Sequence, residues 1–351
     1  MKKTIKTLTA AFLAVLMLAA IALSMAGCQQ GSVDGGSKAS EETKNVSITD
    51  SRGVKIELDK PAEKIVCLLN SGLNDLYMLG AADKVIGIDQ WTYDNEVTYN
   101  VLSKIDDRIA KKEIPAVDNN VEKIISLNPD VVIIWAGNED QIKALEEHDI
   151  KVVGIQVDSF DEVYTKLDMV AAVAGKEDRA AEIKEYTKNS LNSLNEKIST
   201  LKDSDKKSGI FVWGPSTLDL AGKTSTGSSL LDLCGLTNCA AKVDEEHFVA
   251  KLEDVIKWNP DAIMMWNIAD LSEKDYLNSS QWKDVTAVKD KAVYEIPDEM
   301  TFYCDLWTVK YAYAAQLMAK NAYPDLFKDV DMDTIRSDMM MALYGKTVDL
   351  A

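Results

Sequence analysis

Two histidines and four arginines are all that 351 residues provide of the side chains that most readily hold metals or grip polyanions. A multi-histidine metal centre lacks material, and so does a guanidinium cluster that binds phosphates in bidentate fashion. Five cysteines form no C-x-x-C pair and no zinc ligand set. G-x-S-x-G, H-E-x-x-H and a Cys–His pair at motif spacing are all missing, which argues against an enzyme. Proline (7) and glycine (17) are sparse, so collagen-like and low-complexity classes are excluded. Cations are outnumbered: 39 Lys+Arg face 57 Asp+Glu, a formal charge of −18 that repels a phosphate backbone and excludes nucleic-acid binding.

Long apolar runs are also scarce, and the one that stands out sits at the start. Lys2, Lys3 and Lys6 precede an apolar stretch from Leu8 to Leu23, and Ser24-Met25-Ala26-Gly27-Cys28 follows. This is the three-part layout of a secretory signal, 1–27, and its end resembles a bacterial lipobox with Cys28 as the lipidated residue. Cleavage there takes the charge from −18 to −21. Residues 28–45 offer little to bury and read as a flexible tether. A globular body anchored outside the cytoplasmic membrane only by its acyl chain is therefore expected. Cys67 lies in an apolar run and reads as an inert thiol. Cys234 and Cys239 are close enough in sequence for a disulfide, and the compartment leaves that possibility open.

The chain repeats itself. Glu122-Lys-Ile-Ile-Ser-Leu-Asn-Pro-Asp-Val-Val-Ile-Ile-Trp135 returns as Glu253-Asp-Val-Ile-Lys-Trp-Asn-Pro-Asp-Ala-Ile-Met-Met-Trp266. Each copy reads as a helix, stopped by Pro129 or Pro260, then a short apolar strand buried on both faces. Two distant copies predict two similar lobes rather than a solenoid. Further strands are expected at 65–69, 85–88, 150–155, 209–213 and 292–296, with helices near 73–79 and 140–147. Helical periodicity from Phe160 to Leu201, interrupted near Gly175, predicts a rigid connector. The resulting fold class is α/β: two similar lobes, each a mainly parallel sheet covered by helices, joined by a long rigid helix. The predicted bodies are 46–158, the connector 159–203, and 204–351.

This organisation, with "NNVEKIISLNPDVVIIW", "SSLLDLCGLTN", "SSQWKDVTAVKDKAVYEIP" and "NAYPDLFKDVD", resembles the substrate-binding lipoproteins of ABC importers for iron chelates, haem and cobalamin. The resemblance implies a ligand held between the lobes, little hinge motion, and partners in a permease and its ATPase. A monomer is expected, with no cofactor and no resident metal. It also implies that Glu122 and Glu253, one per lobe, dock onto the permease. Asn119-x-x-Glu122 offers a capping-box alternative. Ala250 stands at the equivalent place before Glu253, so capping does not account for both.

In open α/β sheets ligands lie beyond the carboxyl ends of the strands. Those ends carry Asn70-Ser71-Gly72, Trp91, Tyr93, Trp135, Asn138, Trp213, Trp266, and the Tyr303–Trp307 segment. Trp91, Tyr93, Trp135, Asn138, Trp213, Tyr303 and Trp307 are candidate ligand contacts. Trp258 and Trp282 read as core, and Trp266 fits either place. By resemblance, His247 occupies a loop from which some haem binders ligate iron, although Val117 stands where some of them place a methionine. Lys310 falls where relatives often have Arg, which disfavours a catecholate cargo. Gly222-Lys223-Thr224 is no P-loop, because Thr217 occupies the first glycine position. It reads as a lip loop leading to a helix near Leu230, whose N–H groups are candidates for an anionic ligand group. A free zinc or manganese receptor and a structural or adhesive lipoprotein are the competing functions.

Overall fold

The computed structural model describes residues 45–267 and 271–348. The signal segment, Cys28 and nearly all of the tether lie outside them. Among the described residues no helix is long and apolar enough to cross a membrane. An antiparallel hairpin comes first, β1 (Val46–Thr49) and β2 (Lys55–Leu58). Its buried turn residue Asp50 accepts the N–H groups of Arg52, Val54 and the distant Gly154, which ties the hairpin to the first sheet.

That sheet uses β3 (Ile65–Cys67), followed by α1 (Asn70–Met78), and β4 (Val85–Ile88). The short helices α2 (Trp91–Asp94), α3 (Glu96–Ile105), α4 (Asp107–Ala110) and α5 (Val121–Ser126) come next. The lobe closes with β5 (Val131–Trp135), α6 (Glu139–Glu146) and β6 (Val152–Ile155). All four strands run parallel in the order β4-β3-β5-β6. They are almost wholly apolar because helices cover both faces. Gly72 allows α1 to sit close on β5: a Cβ there would lie 3.3 Å from Ile133 Cγ2.

The connector is two helices, not one. A capping box, Ser159 with Glu162, starts α7 (Phe160–Ala174), and Gly175 ends it in the left-handed region at φ 67°. The chain turns there into α8 (Glu177–Ile198). Helix α7 packs on α1 and β1, against the first lobe.

The second sheet contains β7 (Ser208–Val212), β8 (Asp219–Ala221), β9 (Thr237–Asn238) and β10 (His247–Val249), with α9 (Thr226–Leu233) after β8. Then come α10 (Leu252–Trp258), β11 (Ala262–Met265), α11 (Glu273–Leu277), α12 (Thr286–Lys289) and β12 (Val293–Glu295). The order is β10-β8-β7-β11-β12, with β9 beside the start of β7. β7, β9, β11 and β12 are parallel, while β8 and β10 form an antiparallel edge. Finally α13 (Tyr311–Ala322) packs on α8 and α9, and α14 (Met332–Tyr344) returns across α8 to reach α1. One apolar core accordingly runs from the first lobe through the connector into the second.

The repeat now has a physical account. In both copies an asparagine in the left-handed region closes the helix, Asn128 at φ 50° and Asn259 at φ 48°. The repeated aspartate ties its strand to the lobe's first strand. Asp130 accepts the N–H groups of Glu63 and Lys64, and Asp261 accepts the N–H and hydroxyl of Ser208. The repeated tryptophan ends the strand in the first copy and directly follows it in the second. Glu122 and Glu253 are each the second residue of their helix, exposed, and without a side-chain partner among the described residues. The capping-box reading of Asn119 and Glu122 does not hold, because the cap is Asn120, whose side chain accepts the Lys123 N–H.

Candidate functional site

In both sheets the chain reverses its direction of travel across the sheet, between β3 and β5 in one and between β7 and β11 in the other. The strand ends at these switch points open onto one cleft of about 660 Å³ lined from both lobes. The first lobe contributes Asn70, Ser71 and Asn74 after β3, Trp91 after β4, Trp135 at the end of β5, and Gln156 after β6. The second contributes Trp266 after β11 and, from the segment after β12, Phe302, Asp305, Trp307 and Lys310.

Tryptophans form the walls. Trp91, Trp135 and Trp307 keep 45%, 48% and 38% of their surface exposed, unusual for side chains of this size. Trp135 is oriented by donation from its Nε1 to Gln156 Oε1 (2.6 Å) and folds over Gly137, where a Cβ would collide with the indole. Trp307 meets Trp266 edge-on, ring centroids 5.5 Å apart. Trp213 stands 6.1 Å from each of them and is held by its Nε1 on Ser225 Oγ (2.9 Å).

The floor is polar and joins the lobes. Lys310 is fully buried; its Nζ donates to Asn74 Oδ1 (3.2 Å) and lies 3.6 Å from the Phe302 ring centroid. The Tyr344 hydroxyl donates to the same Asn74 oxygen (2.8 Å). Burial pushes the Lys310 ammonium down to about 8, against the pull of Asp305 and Asp75. Beneath the floor Asp75 and Lys166 form a buried ion pair, and Lys166 also donates to the Ser71 carbonyl (3.1 Å). Burial raises the Asp75 carboxyl to about 6, with Lys166 opposing the shift.

Several predicted contacts lie elsewhere. Tyr303 is fully buried under the Arg336 guanidinium, with its neighbour Phe302 taking the cleft position instead. Tyr93 donates to the Ile114 carbonyl (2.7 Å) and packs on Tyr99, away from the cleft. Asn138 precedes α6 beside a separate depression of about 300 Å³ that shares only Trp91 with the main cleft. Trp213 backs the wall rather than forming it. His247, on the edge strand β10, pairs with Glu246 (2.9 Å) and packs edge-on against Trp213, outside the cleft lining. Helix α9 begins at Thr226, and its cap Ser225 is fully buried, so this helix start does not face the cleft. Cys67, Cys234, Cys239 and Cys304 are free thiols, so the 234–239 disulfide is not formed. Burial raises the Cys67 and Cys304 thiols to about 12, which makes them unreactive.

Asn74, Gln156, Asp298, Thr301 and the start of α3 went unmarked in the sequence. Gln156 follows a predicted strand, so the strand-end rule itself could have found it. Among the described residues no three His, Cys, Asp or Glu side chains gather to hold a metal ion, so a free-metal receptor has no donor set there.

Two lobes with a shared aromatic cleft at their strand ends, braced by helices, define a two-lobed binding protein. The chain belongs to the periplasmic binding protein family, whose model matches residues 65–300. It is 30% identical over 326 residues to the uncharacterized ABC transporter substrate-binding lipoprotein YvrC of Bacillus subtilis, covering 90% of this chain and 98% of that one. The molybdate-binding protein MolA of Haemophilus influenzae, solved with molybdate bound, superposes with a TM-score of 0.72 at 21% identity, over 87% of this chain and 99% of its own. The nickel–histidine complex of Helicobacter pylori CeuE gives a TM-score of 0.70 at 23% identity, over 86% and 96%.

Proposed function

We propose that this protein is the extracytoplasmic receptor of an ABC importer, lipidated at Cys28, which takes a metal chelate between lobes 46–158 and 204–351 and hands it to a permease and its ATPase. The observation that carries the reading is one cleft walled by Trp91, Trp135, Trp266 and Trp307, two from each lobe. Large indoles contributed by both lobes suit a ligand with broad apolar faces, an iron–siderophore complex, haem or a corrinoid, more than a bare ion. The name of the Bacillus relative, an ABC transporter substrate-binding lipoprotein, supports the transport role and the anchor. Glu122 and Glu253 support the docking role: every other repeated polar residue has an internal structural task, and these two face outward unpartnered.

A thermal-shift panel of the purified protein with haem, cobalamin and ferric hydroxamates tests this. A ligand at a hundredfold its Kd adds about 2.7 kcal/mol of stability. A clear rise in Tm with one class, lost in Trp91→Ala or Trp307→Ala, is the expected outcome. No shift with any of them would refute the chelate assignment.

A further inference from the structure

Asp305 lines the cleft yet is only 8% exposed. Its Oδ1 accepts the N–H of Trp307 (3.0 Å), which fixes the carboxylate within its own turn. Its Oδ2 is buried and accepts no hydrogen bond from the protein. Buried carboxylate oxygens are rarely left without a donor, because burial has removed the water that would serve them. Neither nearby ammonium donates to this one, although Lys310 is close enough to feel its charge. Lys310 donates to Asn74 and lies over the Phe302 ring, while Lys166 is taken by Asp75 and the Ser71 carbonyl. Two further carboxylates, Glu96 and Asp298, line the same cleft and are exposed. Among the described lining residues Lys310 is the only cation, and it is already engaged.

We infer that Asp305 is a ligand-recognition group, its carboxylate turning to offer the buried Oδ2 to a cationic ammonium arm of the bound chelate, so that the cleft selects cationic chelates over neutral and anionic ones. The inference rests on the chelate-receptor reading and adds a charge class to it. A hydrogen bond between an ammonium and a carboxylate in a site shielded from water is among the stronger polar contacts. An anionic cargo, in contrast, enters a cleft with three carboxylates and finds no free cation.

Calorimetric titration of the full chain with three ferric chelates of graded charge decides the matter. These are ferric desferrioxamine B, which carries a free ammonium arm, its neutral N-acetyl derivative, and an anionic ferric tricatecholate. The ammonium form is expected to bind at least about tenfold more tightly than the acetylated form, with the tricatecholate weakest. In Asp305→Asn, whose amide oxygen can still accept the Trp307 N–H, the gap between the first two should close. Should the variant not fold, the wild-type ranking decides alone. Equal binding of the ammonium and acetylated forms, tightest binding of the tricatecholate, or a gap that survives in Asp305→Asn overturns the assignment and leaves the receptor reading standing. Silence with all three also overturns it, and if haem and cobalamin are silent too, the chelate assignment falls with it.

Discussion

Lys310 shows how a single buried group can set a pH response. Its ammonium titrates at about 8 in the fold, against 10.5 for an ordinary lysine, chiefly because burial disfavours the charge. Between those values the unfolded chain keeps a proton that the folded chain has released, so stability rises with pH across that window, with a limiting slope of about 1.4 kcal/mol per pH unit. Lys310→Met should remove this contribution, while Asn74 keeps its Tyr344 donor. Denaturant melts of both proteins from pH 7.5 to 10 should therefore give stability curves that differ in slope above pH 8. Parallel curves would rule the effect out. The wall tryptophans were legible in the sequence because strand ends are predictable from short apolar runs. The floor was not, because its partners are remote: Asp75 and Lys166 are 91 residues apart, Asn74 and Tyr344 are 270 apart. Tyr303 was misplaced for a related reason. The segment from 301 to 310 is neither strand nor helix, so no periodicity tells which ring turns inward.

The twin helix–strand units allow a sharper comparison between elements. Asn128 and Asn259 have the same left-handed backbone, but only Asn259 also bonds with its side chain, donating to Thr286 Oγ1 (2.8 Å) and accepting the Thr286 N–H (2.9 Å) at the start of α12. Glycine supplies the conformation without the bonds. Asn128→Gly should accordingly be close to neutral, whereas Asn259→Gly should cost about 1–2 kcal/mol through the lost cap and hydrogen bond. Equilibrium unfolding of the two variants checks this, and equal costs would contradict it. The element types and their order in these units were readable from periodicity and the Asn-Pro stop. The start of α5 was not, since Asn119 and Asn120 are adjacent candidates and only the Lys123 N–H, bonded to Asn120, distinguishes them. The two-helix connector was half visible, through Gly175.

For the whole molecule, the docking role proposed for the two outward glutamates is testable apart from ligand binding. Reversing both, Glu122→Lys with Glu253→Lys, should abolish uptake by cells while leaving ligand affinity within about twofold, because neither side chain has an internal partner to lose. Unchanged uptake would dismiss the docking role. The two-lobe architecture was legible from the internal repeat alone, since a repeated unit that buries its strand on both faces needs a sheet of its own. The shared apolar cluster that runs through both lobes was not, because α14 completes it by crossing back to α1 late in the chain.

The corner at Gly175 has a bearing on selection. A Cβ there would lie 2.9 Å from Pro61, and the helices that meet at this corner are packed on different bodies, α7 on α1 and β1, α8 on α13 and α14. Swinging the lobes apart or together means unpacking that corner. On the chelate reading proposed above, the tryptophan walls then act as a calliper with a tight joint: a plate too thin touches one jaw and falls out, and one too thick never seats.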